Sequence, residues 1–370
     1  MNNSITENKR KTVTIVIRAD GNVDIGVGHL MRCLTIAEQV RERQHVVFWC
    51  ADEASAAMVQ DKGYEAQVLG TDYHDMHSEL PKLEFLMHSE GQSSGMKKKG
   101  AILVDSYFVT AEYLQALRTY GRVYLLEDMP GHIWPVDGVI NYNAFADLRS
   151  YEEIYRKNKE NLSDTDVKQN TKLYIGASYV PIRSQFAGYN YQVQGQVKEL
   201  LVTTGGGDRE NIAGKILERL EYMKCRVHVV SGPYNPHGEW LDSYAQVHPQ
   251  VVVHRRVEDM ARLMLQCDLA VTGGGTTVYE LCALGVPFVC FSYAENQEAL
   301  AEYVGGQEIG LNAGKYHRDS GETLYNIGNL VQRAAAEPRM RRQMSQRARK
   351  LVDGQGARRL AEALLEAGRE

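Results

Sequence analysis

His29 closes the tetrapeptide "GVGH", which follows the apolar run "VTIVI" and opens the amphipathic run "HLMRCLTIAEQVRER". An imidazole in the first turn of a helix sits where the dipole favours a neutral ring. A neutral imidazole takes a proton from water or from a hydroxyl, and such general-base help is worth ~10²–10⁴-fold in rate. A capping or packing histidine is the competing reading. Gly26 and Gly28 leave a bare backbone that a ligand can approach closely. The pattern is not G-x-G-x-x-G, because Met31 stands at the third glycine position, and no G-K-[ST] occurs there. The dinucleotide and NTPase readings therefore lose support where they should be strongest.

Two further glycine-rich turns recur at the ends of apolar runs: "TTGGGD" (203–208) and "TGGGTTVYELCALGVP" (272–287). A helix start offers unpaired N–H groups and a partial positive charge, which suit a phosphate. Gly205, Gly206, Gly274 and Gly275 are the candidate approach points. Thr276 and Thr277 cap the helix or touch the phosphate. Glu280 follows one turn later, where a carboxylate accepts two hydrogen bonds from a ribose diol; an ordinary exposed helix carboxylate is the alternative. No metal is expected. The D-x-D "DTD" (164–166) falls in a charged, solvated stretch, and His74 and His77 of "YHDMH" lack a clear third ligand. Lys97, Lys98 and Lys99 read as a solvated turn, with a basic phosphate site as the alternative.

These residues must be positioned by an α/β scaffold. Short β-branched runs alternate with longer amphipathic segments, first from "VTIVI" through "HVVFWC", "GAILVDSY" and "RVYLLED". The first helix carries Leu30, Leu34, Ala37 and Val40 along one face. A second alternation runs from "ELLVTTGGGD" through "RVHVVSG", "QVVVH", "DLAVTGGG" and "VPFVCFS". Two Rossmann-like βαβ domains facing a central cleft are expected, with ligands at the strand carboxyl ends. We place the domains at 11–183 and 198–350, joined by the aperiodic linker 184–197 and followed by a C-terminal helix, 351–370. The tail from Glu337 is basic, then amphipathic, and is expected to pack back on the first domain. The stretch 88–100 reads as a polar loop, and 152–171 as a helix that frays into a surface excursion.

The 370 residues suffice for two ordinary domains, and 44% of them are hydrophobic. A net charge of -5 implies no broad basic field, so nucleic acid is not an expected main partner. No apolar run reaches the ~18 residues of a membrane span. The polar start "MNNSITENKRK" does not resemble a signal peptide. Six cysteines without a C-x-x-C pair read as buried, reduced thiols of a cytoplasmic protein. No cofactor is called for, and oligomeric state has no signal in the residues.

Taken together, "IRADGNVDIGVGHLMRCLTIAEQ", "ILVDSY", "YVPIRSQF", "VTTGGGD" and "TGGGTTVYELCALGVPFVCFSYAENQ" occur in the order found in one family. From about Val13 to about Gly305 the chain resembles the UDP-2,4-diacetamido-2,4,6-trideoxy-β-L-altropyranose hydrolases of pseudaminic acid synthesis. The R-A-D and G-x-G-H-x-x-R pair is the specific part. The C-terminal glycine and glutamate pattern is shared with the lipid II-forming glycosyltransferase. The resemblance implies a GT-B fold, a UDP-sugar as substrate with UDP held mainly by the second domain, and water activated by His29. Water would attack the anomeric carbon, with inversion. It places Gly26, Gly28 and Arg32 of the first motif against the substrate, and Tyr107 on the sugar side. Glu280 would bind ribose, the "TGGG" turn phosphate, and Asn296 and Gln297 would lie near the sugar or diphosphate. Asp20 either orients the catalytic loop or serves as a structural cap. An inverting glycosyltransferase, with His29 deprotonating an acceptor, is the alternative.

Overall fold

The computed structural model describes residues 14–22, 25–93, 100–128, 130–161, 171–232 and 235–368. Val13, Asp24, the 97–99 lysines and the 164–166 D-x-D lie outside the described residues. The chain divides into two compact units: the part up to Pro181 together with the segment from Gln355, and Ile182–Gly354.

In the first unit the strands are β1 (Thr14–Ala19), β2 (His45–Cys50), β3 (Glu65–Val68), β4 (Ala101–Asp105), β5 (Arg122–Leu126), β6 (Gly138–Asn141) and β7 (Lys172–Ile175). They pair in the order β3-β2-β1-β4-β5-β6-β7, and every pairing is parallel. The crossover helices are α1 (Gly28–Val40), α2 (Glu53–Gln60), α3 (Leu80–Ser93), α4 (Ala111–Leu117) and α5 (Leu148–Asn161).

The second unit carries β8 (Glu199–Thr203), β9 (Arg226–Ser231), β10 (Val251–Arg255), β11 (Leu269–Gly273), β12 (Phe288–Ser292) and β13 (Leu311–Lys315). Their order is β10-β9-β8-β11-β12-β13, again parallel throughout. Its helices are α6 (Ile212–Arg219), α7 (Gly238–Val247), α8 (Met260–Gln266), α9 (Thr277–Leu284), α10 (Glu298–Gly306), α11 (Ser320–Ala336) and α12 (Pro338–Leu351). The last helix, α13 (Gly356–Ala367), packs on α1 in the first unit.

Parallel strands covered on both faces need continuous apolar runs. β1, β4, β11 and β12 are buried along their whole length. The helix face expected on α1 is formed, with Leu30, Leu34, Ala37 and Val40 all buried. Backbone 88–93, expected as loop, is instead the end of α3, which holds Pro81 in its first turn, where a proline is tolerated, and continues through Gly91.

Both sheets share one topological device. In the first, β1 lies between β2 and β4; in the second, β8 lies between β9 and β11. The chain thus leaves the central strand in one direction and returns on its other side. A crevice opens at the carboxyl ends of the two strands flanking that reversal, where α/β folds bind ligands. The reversal places the turn after β1 beside the end of β4, with Ala19 level with Asp105. It likewise places the turn after β8 beside the turn after β11, with Thr203 level with Thr272.

Among the described residues, no helix is long and apolar enough to cross a membrane. All six cysteines are buried and unbridged.

Candidate functional site

His29 is the second residue of α1 and is buried. Its Nδ1 lies 2.6 Å from Oδ1 of Asp105, the last residue of β4. Asp105 is fully buried. Burial alone would push its carboxyl up, but the Arg32 guanidinium and hydrogen bonds from Arg32 and His29 outweigh it and bring it down to about 2. An ionised carboxylate only accepts, so Nδ1 carries the proton and donates. That tautomer leaves the lone pair on Nε2, the nitrogen available as a base.

Arg32 stands one turn further along α1. Its Nε donates to Asp105 Oδ2 and its Nη2 to Oδ1, both at 2.5 Å. Nη1 donates to Asp128 Oδ1 at 3.0 Å and to the Tyr142 hydroxyl at 2.8 Å. Nη2 also lies 3.1 Å from His29 Nδ1, but the Nδ1 proton is spent on Asp105 and arginine has no acceptor, so this is a contact and not a bond. The sequence reading placed Arg32 on the substrate; here its guanidinium is engaged by carboxylates of the protein. The fork fixes Asp105 in two directions, which a lysine could not do.

Tyr107 is exposed, yet its ring stands edge-on to the His29 imidazole with centroids 4.4 Å apart. Its hydroxyl donates to Asp128 Oδ2 at 3.0 Å. Although the residue is exposed overall, partial desolvation of the hydroxyl and then the charge of Asp128 push it up, so it stays a neutral donor. Asp128 therefore joins Arg32 to Tyr107, and both support the histidine.

Asp20 lies at the foot of the same turn. Its Oδ1 accepts from the Ala51 N–H at 2.7 Å, and Oδ2 pairs with the buried Arg18, which also pairs with Glu79. Asp20 thus ties the ends of β1 and β2 together, and it shares a small pocket with Ile25, His29, Asp105, Tyr107 and Phe108. The turn above it is braced by Asn22, whose Oδ1 accepts from the Ile25 N–H at 3.0 Å. Gly26 has φ +74°, a conformation that excludes most side chains. Gly28 starts α1 with open space where a Cβ would be.

In the second unit the two glycine turns differ. Gly205 has φ +91°, and an added Cβ would lie 3.1 Å from the Tyr293 hydroxyl; Gly206 faces open space. The start of α6 that follows is already covered. Asp208 accepts from the Ile212 and Ala213 N–H groups at 2.7 and 2.8 Å, one through each oxygen. A carboxylate of the protein thus occupies the position an anion would take.

The start of α9 is not covered in this way. Thr276 makes no side-chain cap, and Gly275 has nothing within 4 Å of an added Cβ. Gly274 packs against Gln297, and Gln297 Oε1 accepts from the Tyr293 N–H at 3.2 Å. Asn296 is exposed in the 3₁₀ turn Glu295–Gln297. Glu280 lies on α9 and pairs with Arg183 at 2.9 Å.

Asp105, Asp128, Tyr142 and Arg183 were not singled out from the sequence. The two aspartates share a signal, an acidic residue closing an apolar strand run in "AILVD" and "VYLLED". His74 is held by Asp72 at 2.7 Å and packs among Tyr73 and Phe108. Among the described residues, no group of three or more His, Cys, Asp or Glu is arranged to hold a metal ion.

No family model matches the chain. It is 28% identical over 358 residues to the spore coat polysaccharide biosynthesis protein SpsG of Bacillus subtilis (strain 168), covering 94% of this chain and 96% of that protein. It is 23% identical over 294 residues to the UDP-2,4-diacetamido-2,4,6-trideoxy-beta-L-altropyranose hydrolase of Campylobacter jejuni, covering 78% of this chain and 95% of that one. The resemblance seen in the motifs thus extends over most of the chain. Among solved structures, MurG of Acinetobacter baumannii superposes with a TM-score of 0.64 at 14% identity, covering 96% of this chain and 99% of MurG. The fold is GT-B, with two Rossmann-like parallel-sheet domains.

Proposed function

We propose that this protein is an enzyme that hydrolyses a UDP-linked 2,4-diacetamido-2,4,6-trideoxy sugar to UDP and the free sugar, in the synthesis of pseudaminic or a related nonulosonic acid. The observation that carries the reading is the His29–Asp105 pair, which leaves Nε2 as an uncommitted base. Nε2 takes a proton from water as the water oxygen bonds to the anomeric carbon. The bond from that carbon to the UDP oxygen breaks, its electron pair leaves with UDP, and the configuration inverts. Asp105 keeps the tautomer and balances the imidazolium that forms. UDP is a good leaving group. Its charge needs only fixed donors, and the Gly275 and Thr276 N–H groups at the start of α9 are placed for this, beside Gly274, whose own N–H is bonded to the Phe291 carbonyl at 2.8 Å. Glu280 accepts from the ribose, and Asn296 and Gln297 bound the same turn. The similarity to the Campylobacter jejuni hydrolase supports the substrate class.

The test is turnover of a panel of UDP-sugars in ¹⁸O-labelled water with no acceptor present. Label in the released sugar is the expected result, and label in UDP would place the attack at phosphorus and remove the role given to His29. A second reading, an inverting UDP-sugar glycosyltransferase, draws on a 32% identity over 129 residues, 34% of this chain and 29% of the other, to an N-acetylglucosamine transferase of Xanthomonas axonopodis pv. citri. It requires that turnover depend on an added acceptor.

A further inference from the structure

Glu280 is a carboxylate held in a poor place for one. Its side chain is 14% exposed, and burial pushes its carboxyl up, opposed by the charge and hydrogen bond of Arg183. Arg183 Nη2 donates to Oε1 at 2.9 Å, and Oε2 has no hydrogen bond among the described residues. The arginine is itself fixed. Its guanidinium carbon lies 5.0 Å from the centroid of the fully buried Phe186 ring. Arg183 precedes and Phe186 ends a 3₁₀ turn, Ser184–Phe186, closed by the Phe186 N–H on the Arg183 carbonyl at 3.0 Å. That turn packs on α9 and is tied to the start of α8 by Gln185, whose Oε1 accepts from the Ala261 N–H at 3.4 Å.

We propose that Arg183 is a positioning residue for nucleotide recognition: by holding one oxygen of Glu280 it fixes the carboxylate so that the other oxygen is left for a ribose hydroxyl. A guanidinium suits this role because its donors sit on a rigid plane, and the Phe186 ring holds that plane by cation–π contact. A glutamate without it is free to change rotamer and to take up a proton. The inference rests on the ribose role given to Glu280 above.

The experiment compares binding of UDP and 2′,3′-dideoxy-UDP by calorimetry in the wild type and in Glu280→Gln, Arg183→Ala, Arg183→Lys and the Glu280→Gln/Arg183→Ala pair. The wild type should prefer UDP by about 10–100-fold, the size of one hydrogen bond to a charged group. Arg183→Ala should lose most of that preference while binding the dideoxy nucleotide normally. Arg183→Lys should restore part of it, and the double variant should be no worse than Glu280→Gln. If Arg183→Ala weakens both nucleotides equally, Arg183 acts on the diphosphate or on the fold, and the proposal is overturned while the role of Glu280 stands. A Glu280→Gln variant that keeps the preference removes the ribose reading itself, whatever Arg183 does. Thermal melting of each variant identifies one that has simply unfolded, and Arg183→Gln then replaces the alanine.

Discussion

The turn after β1 and the turn after β11 both lie at the reversal of their sheets, one on the central strand and the other on the strand beside it, yet they are built differently. The first is surrounded by charge: His29, Asp105, Arg32 and Asp128 are cross-linked, and Asp105 is fully buried. The second is mainly backbone, with Gly274, Gly275 and an uncapped helix start. The contrast is one of tasks. A base must hold one tautomer and one orientation, so its supporting charges are fixed in advance of the reaction. A phosphate needs only donors and room, which glycines and a helix N-terminus provide.

Separate losses follow from that contrast, turnover from the first turn and affinity from the second. His29→Asn should reduce turnover by ~10²–10⁴-fold, the range of general-base help, with UDP affinity unchanged by calorimetry. A variant with near-normal turnover would end the role of His29 as base. Asp105→Asn should also depress turnover, through the lost tautomer. It should further destabilise the protein by about 3–5 kcal/mol in denaturant titration, because Arg32 keeps its charge and loses its fork partner.

Acid gives a smaller and signed effect. The Asp105 carboxyl is depressed from 3.8 to about 2. Its stabilisation is therefore full above pH ~4 and is lost as pH falls toward about 2, a loss of about 2 kcal/mol. Unfolding curves across that window should show this loss, and Asp105→Asn should lack it. Asp208→Ala should cost about 1–2 kcal/mol by removal of the α6 cap, while turnover at saturating substrate stays unchanged. A large fall in UDP affinity in that variant would mean that the turn after β8 does more than hold its own helix.

The sequence showed the central strands plainly, because β1, β2, β4, β8, β11 and β12 are continuous apolar runs. β3, β6, β7 and β13 read "EAQV", "GVIN", "KLYI" and "LNAGK" and carry too little apolar pattern to be told from loop. Within the site, His29 and the glycines were legible because the turn chemistry is local. Asp105 and Asp128 were not, because only the strand order brings the end of β4 beside the turn after β1. Arg32 was visible as a residue of the motif, but its partners lie 73 and 96 positions away. Such distances belong to topology rather than to spacing.

The helix that carries His29 is completed from the far end of the chain. α13 lies against α1, with Leu360, Ala361 and Leu364 buried, and Arg359 donates to the Ser178 carbonyl at 2.8 Å. During synthesis, Ile182–Gly354 emerges as one uninterrupted segment and can reach its own fold first. The apolar back of α1 waits uncovered until residues beyond Gln355 leave the ribosome. The half that is made first is thus the last to be covered, and the helix that carries the base gains this packing partner only after the whole second unit has been made.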